Sequence, residues 1–280
     1  MKIPDVKRNL TTGLIDRWHE EHQTEGPRPY MGVSMLGHEC SRYLWLIFRW
    51  AVIEKFPGRM YRLFRRGQLE ELQFTDDLKR IGCIVTHTGR DQLTVSFGGW
   101  VKGHPDGIIE SGLPEAPKTP HIVEYKTHNA KSFAELQKKG VEEAKFRHWA
   151  QMQVYMLGKK LDRAFYLAVN KDDDELYGER VKLERPRAQE LVIRGEDIAV
   201  EPFLPPPLSK DPTFFKCKMC PCWTFCHQTH QTEELNCRTC RHFAPDRDGR
   251  AMCSLYRIEI PYENQLMGCT QYAIHPDLGT

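Results

Sequence analysis

Two carboxylates and a lysine lie close enough along the chain to surround one cation. Asp106 follows a Gly-His-Pro segment, and Glu124 and Lys126 flank Tyr125 further on. Mg²⁺ prefers oxygen ligands, usually one or two carboxylates plus water. In an extended strand Glu124 and Lys126 point to one side and Tyr125 to the other. A cation held by the carboxylates would polarise a phosphate and lower the pKa of an attacking water, while Lys126 would orient that water or stabilise developing charge.

The order of these residues resembles the active-site signature of the PD-(D/E)XK nuclease superfamily, which has Pro-Asp, a spacer and Glu-x-Lys in a strand. Trp149-Ala-Gln-Met-Gln-Val-Tyr155 then resembles the Gln-x-x-x-Tyr element of its RecB-like branch. Gln151 and Tyr155 are four residues apart, so on a helix they share one face and could both reach the cleft. On spacing alone, a half-buried amphipathic helix with a solvated Gln151 is the alternative.

A third carboxylate follows from the same resemblance. RecB-like nucleases carry Gly and, four residues later, His or Glu, and this chain has Gly67 and Glu71. The resemblance therefore implies that Glu71 binds Mg²⁺ or Mn²⁺ together with Asp106 and Glu124. Glu70 is the fallback, and a surface glutamate pair is the alternative. The chain departs from the many members that have His at this position.

Ten cysteines are a high number for an intracellular protein, and eight of them lie between Cys217 and Cys269. Thiols in the cytosol stay reduced, so clustered cysteines there favour metal binding over disulfides. The spacing Cys217-x2-Cys220-x5-Cys226 provides three thiolates, and a cubane iron–sulfur cluster needs four. Cys40 is the predicted fourth ligand.

The setting of Cys40 resembles the N-terminal cysteine segment of RecB-like nucleases with an iron–sulfur cluster, including AddB and the CRISPR-associated RecB-like exonucleases. The resemblance implies a [4Fe-4S] cluster on Cys40, Cys217, Cys220 and Cys226 that ties the two ends of the nuclease domain together. Zinc at the same four cysteines is the runner-up, and an inert buried Cys40 is a further alternative. Cys222 is a surplus thiol that could replace a ligand.

A second set of cysteines predicts a structural zinc site near the C-terminus. Cys237-x2-Cys240 with Cys253 and Cys269 suits tetrahedral Zn²⁺. Because the last two are singly placed, His242 or His230 could substitute for one of them. Cys83 follows a predicted helix end and is expected to be a core thiol.

Hydrophobic spacing predicts the elements that position these side chains. Helices are predicted over residues 7–23, 59–80, 132–139, 142–161 and 187–200. Strands are predicted over residues 92–97, 100–103, 107–110, 121–126, 164–169 and 176–183. Gly98-Gly99 suits a tight hairpin turn between the first two strands. Within the helix over 59–80, basic residues recur at helical spacing and could contact phosphates, although on charge alone a solvated helix face is the favoured explanation: Arg59, Arg62, Arg65, Arg66, Lys79 and Arg80.

This order predicts an α/β protein with a PD-(D/E)XK restriction-endonuclease-like core, that is, a central mixed sheet flanked by helices. Five prolines in residues 202–212 end the main body. The predicted domains are a RecB-like nuclease domain over residues 1–230, including the iron–sulfur ligands, and a zinc-ribbon-like module over residues 231–280. No apolar run has the length of a membrane span and the charged start does not suit a secretory signal, so a cytoplasmic location is expected, in the host cell if the chain is phage-encoded.

The resemblance implies a Mg²⁺- or Mn²⁺-dependent deoxyribonuclease, most simply an exonuclease that processes DNA ends in recombination, repair or phage DNA metabolism. The partners it implies are single-stranded or duplex DNA ends and a recombinase, helicase or single-strand-binding protein. The net charge of +2 does not by itself indicate nucleic-acid binding. The main alternative is a non-enzymatic DNA- or protein-binding metalloprotein with a vestigial site. An iron–sulfur redox enzyme is disfavoured because a Gly-rich dinucleotide fingerprint is absent. The sequence also has no Walker P-loop, so any helicase function would have to come from a partner.

Overall fold

The computed structural model describes residues 10–23 and 26–279. Its strands are β1 (Met31–Gly32), β2 (Ile84–Thr86), β3 (Val95–Ser96), β4 (Val101–Gly103), β5 (Gly107–Ser111), β6 (His121–His128), β7 (Arg163–Asn170), β8 (Leu176–Lys182), β9 (Phe243–Pro245), β10 (Ala251–Cys253) and β11 (Ile258–Glu259). Its α-helices are α1 (Leu10–Glu21), α2 (Ser41–Phe48), α3 (Gly58–Arg80), α4 (Ala130–Ala144), α5 (Phe146–Lys159), α6 (Arg185–Val200), α7 (Phe215–Lys218) and α8 (Tyr262–Gln265). None of these helices is both long and apolar enough to cross a membrane.

A mixed five-stranded sheet in the order β2-β5-β6-β7-β8 forms the centre of the molecule. β6 and β7 are parallel, because α4 and α5 return the chain between them, whereas the other neighbours are antiparallel. In the parallel pair, Glu124 lies opposite Tyr166 and Lys126 opposite Ala168. The mixed sheet flanked by helices is the α/β architecture that the sequence predicted.

Helices cover both faces of this sheet. On one face, Phe74 and Leu78 of α3 pack with Val123 and Tyr125 of β6. On the other face, α5 and α6 pack with Ile122 and with the almost fully buried helix α2. Alternation along β6 therefore turns Tyr125 toward α3 and turns Glu124 and Lys126 toward α5.

The predicted hairpin is present in a second sheet, of order β1-β4-β3. β3 and β4 pair antiparallel across a turn in which Gly98 has a φ of 88°, a backbone conformation that favours glycine. The two-residue strand β1 pairs parallel with β4 and was not predicted. It places the segment before Cys40 beside the strand that leads to Asp106.

One helix prediction needs correction. The break predicted near residue 140 is present, since Gly140 has a non-helical φ of 74°, but the helix predicted over 142–161 is interrupted at Lys145, where α4 ends and α5 begins. The helix predicted over 7–23 is described over Leu10–Glu21, while residues 7–9 lie outside the described residues. Its apolar side chains are exposed rather than buried in the core: Leu10 66%, Leu14 53%, Ile15 45% and Trp18 55%.

The C-terminal residues form a small antiparallel sheet of order β11-β10-β9. They contact the main body through Arg238, which lies between Cys237 and Cys240 and is fully buried. Its guanidinium donates to the backbone oxygens of Phe48 and Pro29, at 2.7 and 2.6 Å. The C-terminal sheet is thus anchored on the main body.

Candidate active site

The predicted triplet of Asp106, Glu124 and Lys126 is brought together at β5 and β6. Asp106 immediately precedes β5, and its Oδ2 accepts a hydrogen bond of 2.8 Å from the backbone N–H of Tyr125. Lys126 Nζ lies 3.9 Å from the same oxygen and donates to Glu124 Oε1. Two neighbouring strands therefore fix all three groups in one polar cluster.

Helix α5 adds the two predicted polar residues to this cluster. Gln151 Nε2 donates to Glu124 Oε2 at 3.1 Å and lies 3.4 Å from Tyr155 Oη. Both side chains are almost completely buried, and the Tyr155 ring packs on Gly103, where a Cβ would lie about 3.0 Å from the ring. The helical spacing of four residues thus places Gln151 and Tyr155 on the face toward Glu124.

Glu71 approaches the cluster from α3. Its backbone oxygen accepts from Thr75 Oγ1 at 2.9 Å, and the same hydroxyl lies 3.2 Å from Tyr125 Oη. Burial, together with the negative charge of Asp106, raises the pKa of Glu71 to about 7, although Lys126 acts against this shift. The charge of Glu71 also raises the pKa of Glu124. Glu71, which was preferred over Glu70, therefore faces the cluster.

Electrostatics in the cluster favour an added positive charge. Burial raises the pKa of Glu124 to about 8, and the charges of Asp106 and Glu71 add to the effect while Lys126 opposes it. Burial lowers the pKa of Lys126, but the neighbouring carboxylates outweigh it and the net shift is upward. Three carboxylates share one lysine, so a cation would stabilise the ionised form of the carboxylates.

The chemistry of this donor set fits a hard divalent cation, because carboxylate oxygens are its preferred ligands. In the described residues, however, no group of three or more His, Cys, Asp or Glu side chains is arranged to hold a metal ion. One oxygen of Glu124 is occupied by Lys126 instead.

A buried histidine–tyrosine network beside the cluster was not predicted. Tyr166 Oη lies 2.8 Å from His128 Nε2 and 2.9 Å from His148 Nδ1. Burial lowers the pKa of His128 to about 4 and that of His148 well below its ordinary value, so both rings are neutral at physiological pH. Alternation along β6 places His128 on the side of Glu124 and Lys126, which was the available signal. The approach of His148 and Tyr166 depends on the register of β7.

The four cysteines that were predicted to bind the iron–sulfur cluster lie within electrostatic range of one another. Burial, followed by the charges of Cys40 and Cys220, raises the pKa of Cys217. Burial raises the pKa of Cys226 to about 11, opposed by Arg42 and assisted by Cys220 and Cys40. The Cys40 sulfur also accepts from the Tyr43 backbone N–H at 3.4 Å and so caps α2.

Cys222 is buried at 1% exposure and is hydrogen-bonded to Cys220 rather than facing solvent. Cys83 is buried at 4% in the core that α3 covers, as predicted.

The second cysteine set also converges. Burial raises the pKa of Cys237 to about 11, and the charges of Cys269, Cys240 and Cys253 add to this effect. Neither His242 nor His230 contributes to that shift. Within residues 10–23 and 26–279, neither cysteine set is arranged closely enough to hold a metal ion as it stands. Both metal assignments therefore remain predictions.

No family model and no curated protein matches this sequence. Among solved structures, the chain is similar to SSO0001 at 18% identity and a TM-score of 0.45, covering 76% of this chain and 94% of that one. It is similar to LHK-Exo in complex with dAMP at 18% identity and a TM-score of 0.45, with 61% and 87% covered. It is also similar to an alkaline exonuclease (LHK-Exo) from Laribacter hongkongensis, at 18% identity and a TM-score of 0.42, with 62% and 88% covered.

Proposed function

We propose that this chain is a Mg²⁺- or Mn²⁺-dependent deoxyribonuclease of the RecB-like PD-(D/E)XK type, acting as an exonuclease on DNA ends. The observation that carries the proposal is the contact between Glu124, Lys126 and Gln151 beside Asp106. These side chains come from two strands and a helix. They are the residues that the resemblance assigns to the active site. DNA is the proposed substrate and partner.

Asp106, Glu124 and Glu71 would hold the cation, which when bound supplies charge for the phosphate and a more acidic water. Lys126 lies against these carboxylates and would orient the attacking water or stabilise negative charge on the phosphate. Gln151 holds Glu124 in place through its amide. In the hydrolysis, the water oxygen forms a bond to phosphorus, the P–O bond to one nucleotide breaks, and the leaving oxygen takes a proton.

Labelled DNA tests this proposal directly. Linear DNA is expected to be degraded with Mg²⁺ or Mn²⁺, closed circular DNA to resist, and Asp106→Asn and Lys126→Met to lose at least about 100-fold in rate. Asp91→Asn changes a highly exposed carboxylate and is the matched control. Equal rates in the parent and both site variants would contradict the assignment. Binding of DNA without hydrolysis under either cation would favour the non-enzymatic alternative with a vestigial site.

We further propose a [4Fe-4S] cluster on Cys40, Cys217, Cys220 and Cys226. The proximity of the four thiols supports it, because the charges of Cys40 and Cys220 act on both Cys217 and Cys226, and a shared metal centre would stabilise their thiolates. Anaerobic purification with iron and sulfide analysis is the test. Iron, sulfide and colour that disappear in Cys40→Ser but persist in Cys83→Ser would support the cluster, whereas zinc alone would favour the runner-up.

We also propose a structural Zn²⁺ on Cys237, Cys240, Cys253 and Cys269. The four thiols influence one another's charge, and four cysteines suit a closed tetrahedral site. One equivalent of zinc is expected in the purified protein, and Cys240→Ser is expected to lose it. Retention of zinc in that variant would exclude this ligand set.

A further inference from the structure

Three aromatic rings pack against each other at the start of α3. Phe56, Tyr61 and Phe64 lie with ring centroids 5.1 to 6.2 Å apart, each pair edge to face. Phe64 nevertheless leaves 42% of its surface exposed. Edge-to-face packing fixes the orientation of the rings, so this trio presents a rigid apolar face to solvent.

The same helix face leads to the candidate active site. Phe64 precedes Glu71 by seven residues. Seven residues make about two helical turns, so the two side chains leave the helix in nearly the same direction. The separation along the helix axis is about 10 Å. A stacked DNA strand advances ~3.4 Å per nucleotide, so about three nucleotides cover that distance.

Charge around the trio suits a polyanion. Arg59, Arg65 and Arg66 are exposed on this part of α3, whereas Arg62 is paired with Asp16 of α1. A groove of about 440 Å³ begins at Phe56, with Lys55 and Lys218 in its walls. Aromatic faces interleaved with basic side chains are the pattern of surfaces that bind single-stranded nucleic acid.

We propose that Phe64, supported by Phe56 and Tyr61, is a stacking platform for unpaired bases of the strand that enters the active site. The inference rests on the proposed nuclease function and adds a binding site upstream of the hydrolytic residues. A base stacked on Phe64 would leave the phosphate about three nucleotides further along near Glu71. Stacking is tolerant of sequence because every base has an aromatic face.

Strand binding tests the platform without cleavage. Fluorescence anisotropy of a labelled 12-nucleotide strand is measured with the full chain carrying Asp106→Asn. Phe64→Ala is expected to weaken binding about 5- to 100-fold, the range for loss of one base–aromatic stack, and Phe64→Trp to preserve it. Leu69→Ala removes an apolar side chain, exposed at 57%, from a different face of α3 and is the matched control.

An abasic strand of equal length separates stacking from general contact. It is expected to bind Phe64→Ala and the unsubstituted Phe64 protein equally well. Unchanged affinity for the normal strand in Phe64→Ala, or an equal loss for both strands, would overturn the proposal.

Should Phe64→Ala fail to fold, 2-aminopurine placed at successive positions of the strand gives an independent reading. Quenching at one or two positions is expected on binding to the Phe64 protein, and no quenching at any position would overturn the platform. A parent chain that stacks bases but never hydrolyses DNA would refute the proposed function alone. A chain that hydrolyses DNA with affinity independent of Phe64 would refute the platform alone.

Discussion

Lys126 and Gln151 each contact one oxygen of the Glu124 carboxylate, which has no exposed surface. Burial works against the charged form of this carboxyl, and Lys126 favours that form without fully offsetting the burial, so the pKa of Glu124 stays raised. This cost is expected where a group is retained for function rather than for stability.

Glu124→Gln separates the role of this carboxylate in function from its role in stability. The amide can still accept from Lys126 and, after rotation of the Gln151 amide, still contact it, so folding loses little. We expect nuclease activity to fall at least about 100-fold while the melting temperature is unchanged or higher. Initial rates and thermal unfolding of the same preparations measure both. A melting temperature that falls sharply would show that the ionised carboxylate stabilises the fold.

Glu71 gives a pH dependence with a defined sign. Its pKa is raised from 4.5 to about 7, so the folded chain binds this proton more tightly than the unfolded chain. The stability it contributes is complete below pH 4.5 and is lost as the pH rises through about 7. Glu71→Gln lacks this loss, so its stability relative to the parent is expected to increase as the pH rises from 4.5 through about 7.

Urea unfolding between pH 4.5 and 8, without added divalent cation, measures the difference. Glu70→Gln is the matched control on the same helix, and its curve is expected to run parallel to that of the parent. A Glu71→Gln curve that also runs parallel would refute the shift.

Local rules explain why several of the predicted site residues lie together. Alternation in β6 joins Glu124 to Lys126, and helical spacing joins Gln151 to Tyr155. The contacts of Tyr166 with His128 and His148 depend on the pairing of β7 with β6, which no local pattern specifies.

Among the helices and strands, too, local sequence patterns predicted some elements and missed others. The length of α3 followed from its periodic apolar residues, and the β3–β4 hairpin from Gly98-Gly99. Helix α2 was missed because Ser41–Phe48 is apolar over almost its whole length, a pattern that does not separate helix from strand. The exposed apolar residues of α1 were assigned no partner by the sequence, and the described residues bury only His19 of that helix.

Two glycines on different elements are predicted to respond oppositely to alanine. A Cβ at Gly37 would lie 2.7 Å from the Arg147 Cα and 2.9 Å from the Ala150 Cβ of α5. Since α5 carries Gln151, Gly37→Ala is expected to lower both stability and nuclease rate. A Cβ at Gly67 meets nothing within 4 Å, so Gly67→Ala is expected to stabilise α3 by about 0.5–1 kcal/mol.

Denaturant unfolding and initial rates of the two variants provide the comparison. Destabilisation by Gly67→Ala, or a neutral Gly37→Ala, would contradict the packing described for α3 or α5 respectively.

For the whole molecule, two buried arginines join the C-terminal sheet to the main body. Arg49 Nη2 contacts the backbone oxygen of Glu201 at 3.4 Å, and Nη1 that of Arg238 at 3.5 Å. The Arg238 guanidinium lies 4.2 Å from the Trp50 ring centroid and 4.7 Å from that of Phe48. Because Arg238 lies between Cys237 and Cys240, the geometry of the proposed zinc ligands and the packing of the main body depend on each other.

This coupling predicts that the C-terminal region and the main body unfold as one unit. Arg238 also donates to Gln265 Oε1 at 2.8 Å, so its replacement leaves several buried acceptors without a donor. Arg238→Met is expected to cost about 3 kcal/mol or more, since hydrogen bonds from a charged donor are the costly ones to lose. Arg238→Lys recovers little, because an ammonium cannot reproduce the planar fork.

Differential scanning calorimetry is the measurement, with Arg241→Lys as the control because Arg241 is exposed in the same region. A single transition is expected for the parent, moving to lower temperature as a whole when a chelator removes zinc. Arg238→Met is expected either to lower that transition or to divide it in two. Two independent transitions in the parent, with chelation affecting only one, would show that the C-terminal region is a separate folding unit. In that case zinc could be lost without consequence for the active site, whereas a single shared transition makes the second cysteine set a condition for keeping Asp106, Glu124 and Lys126 in place.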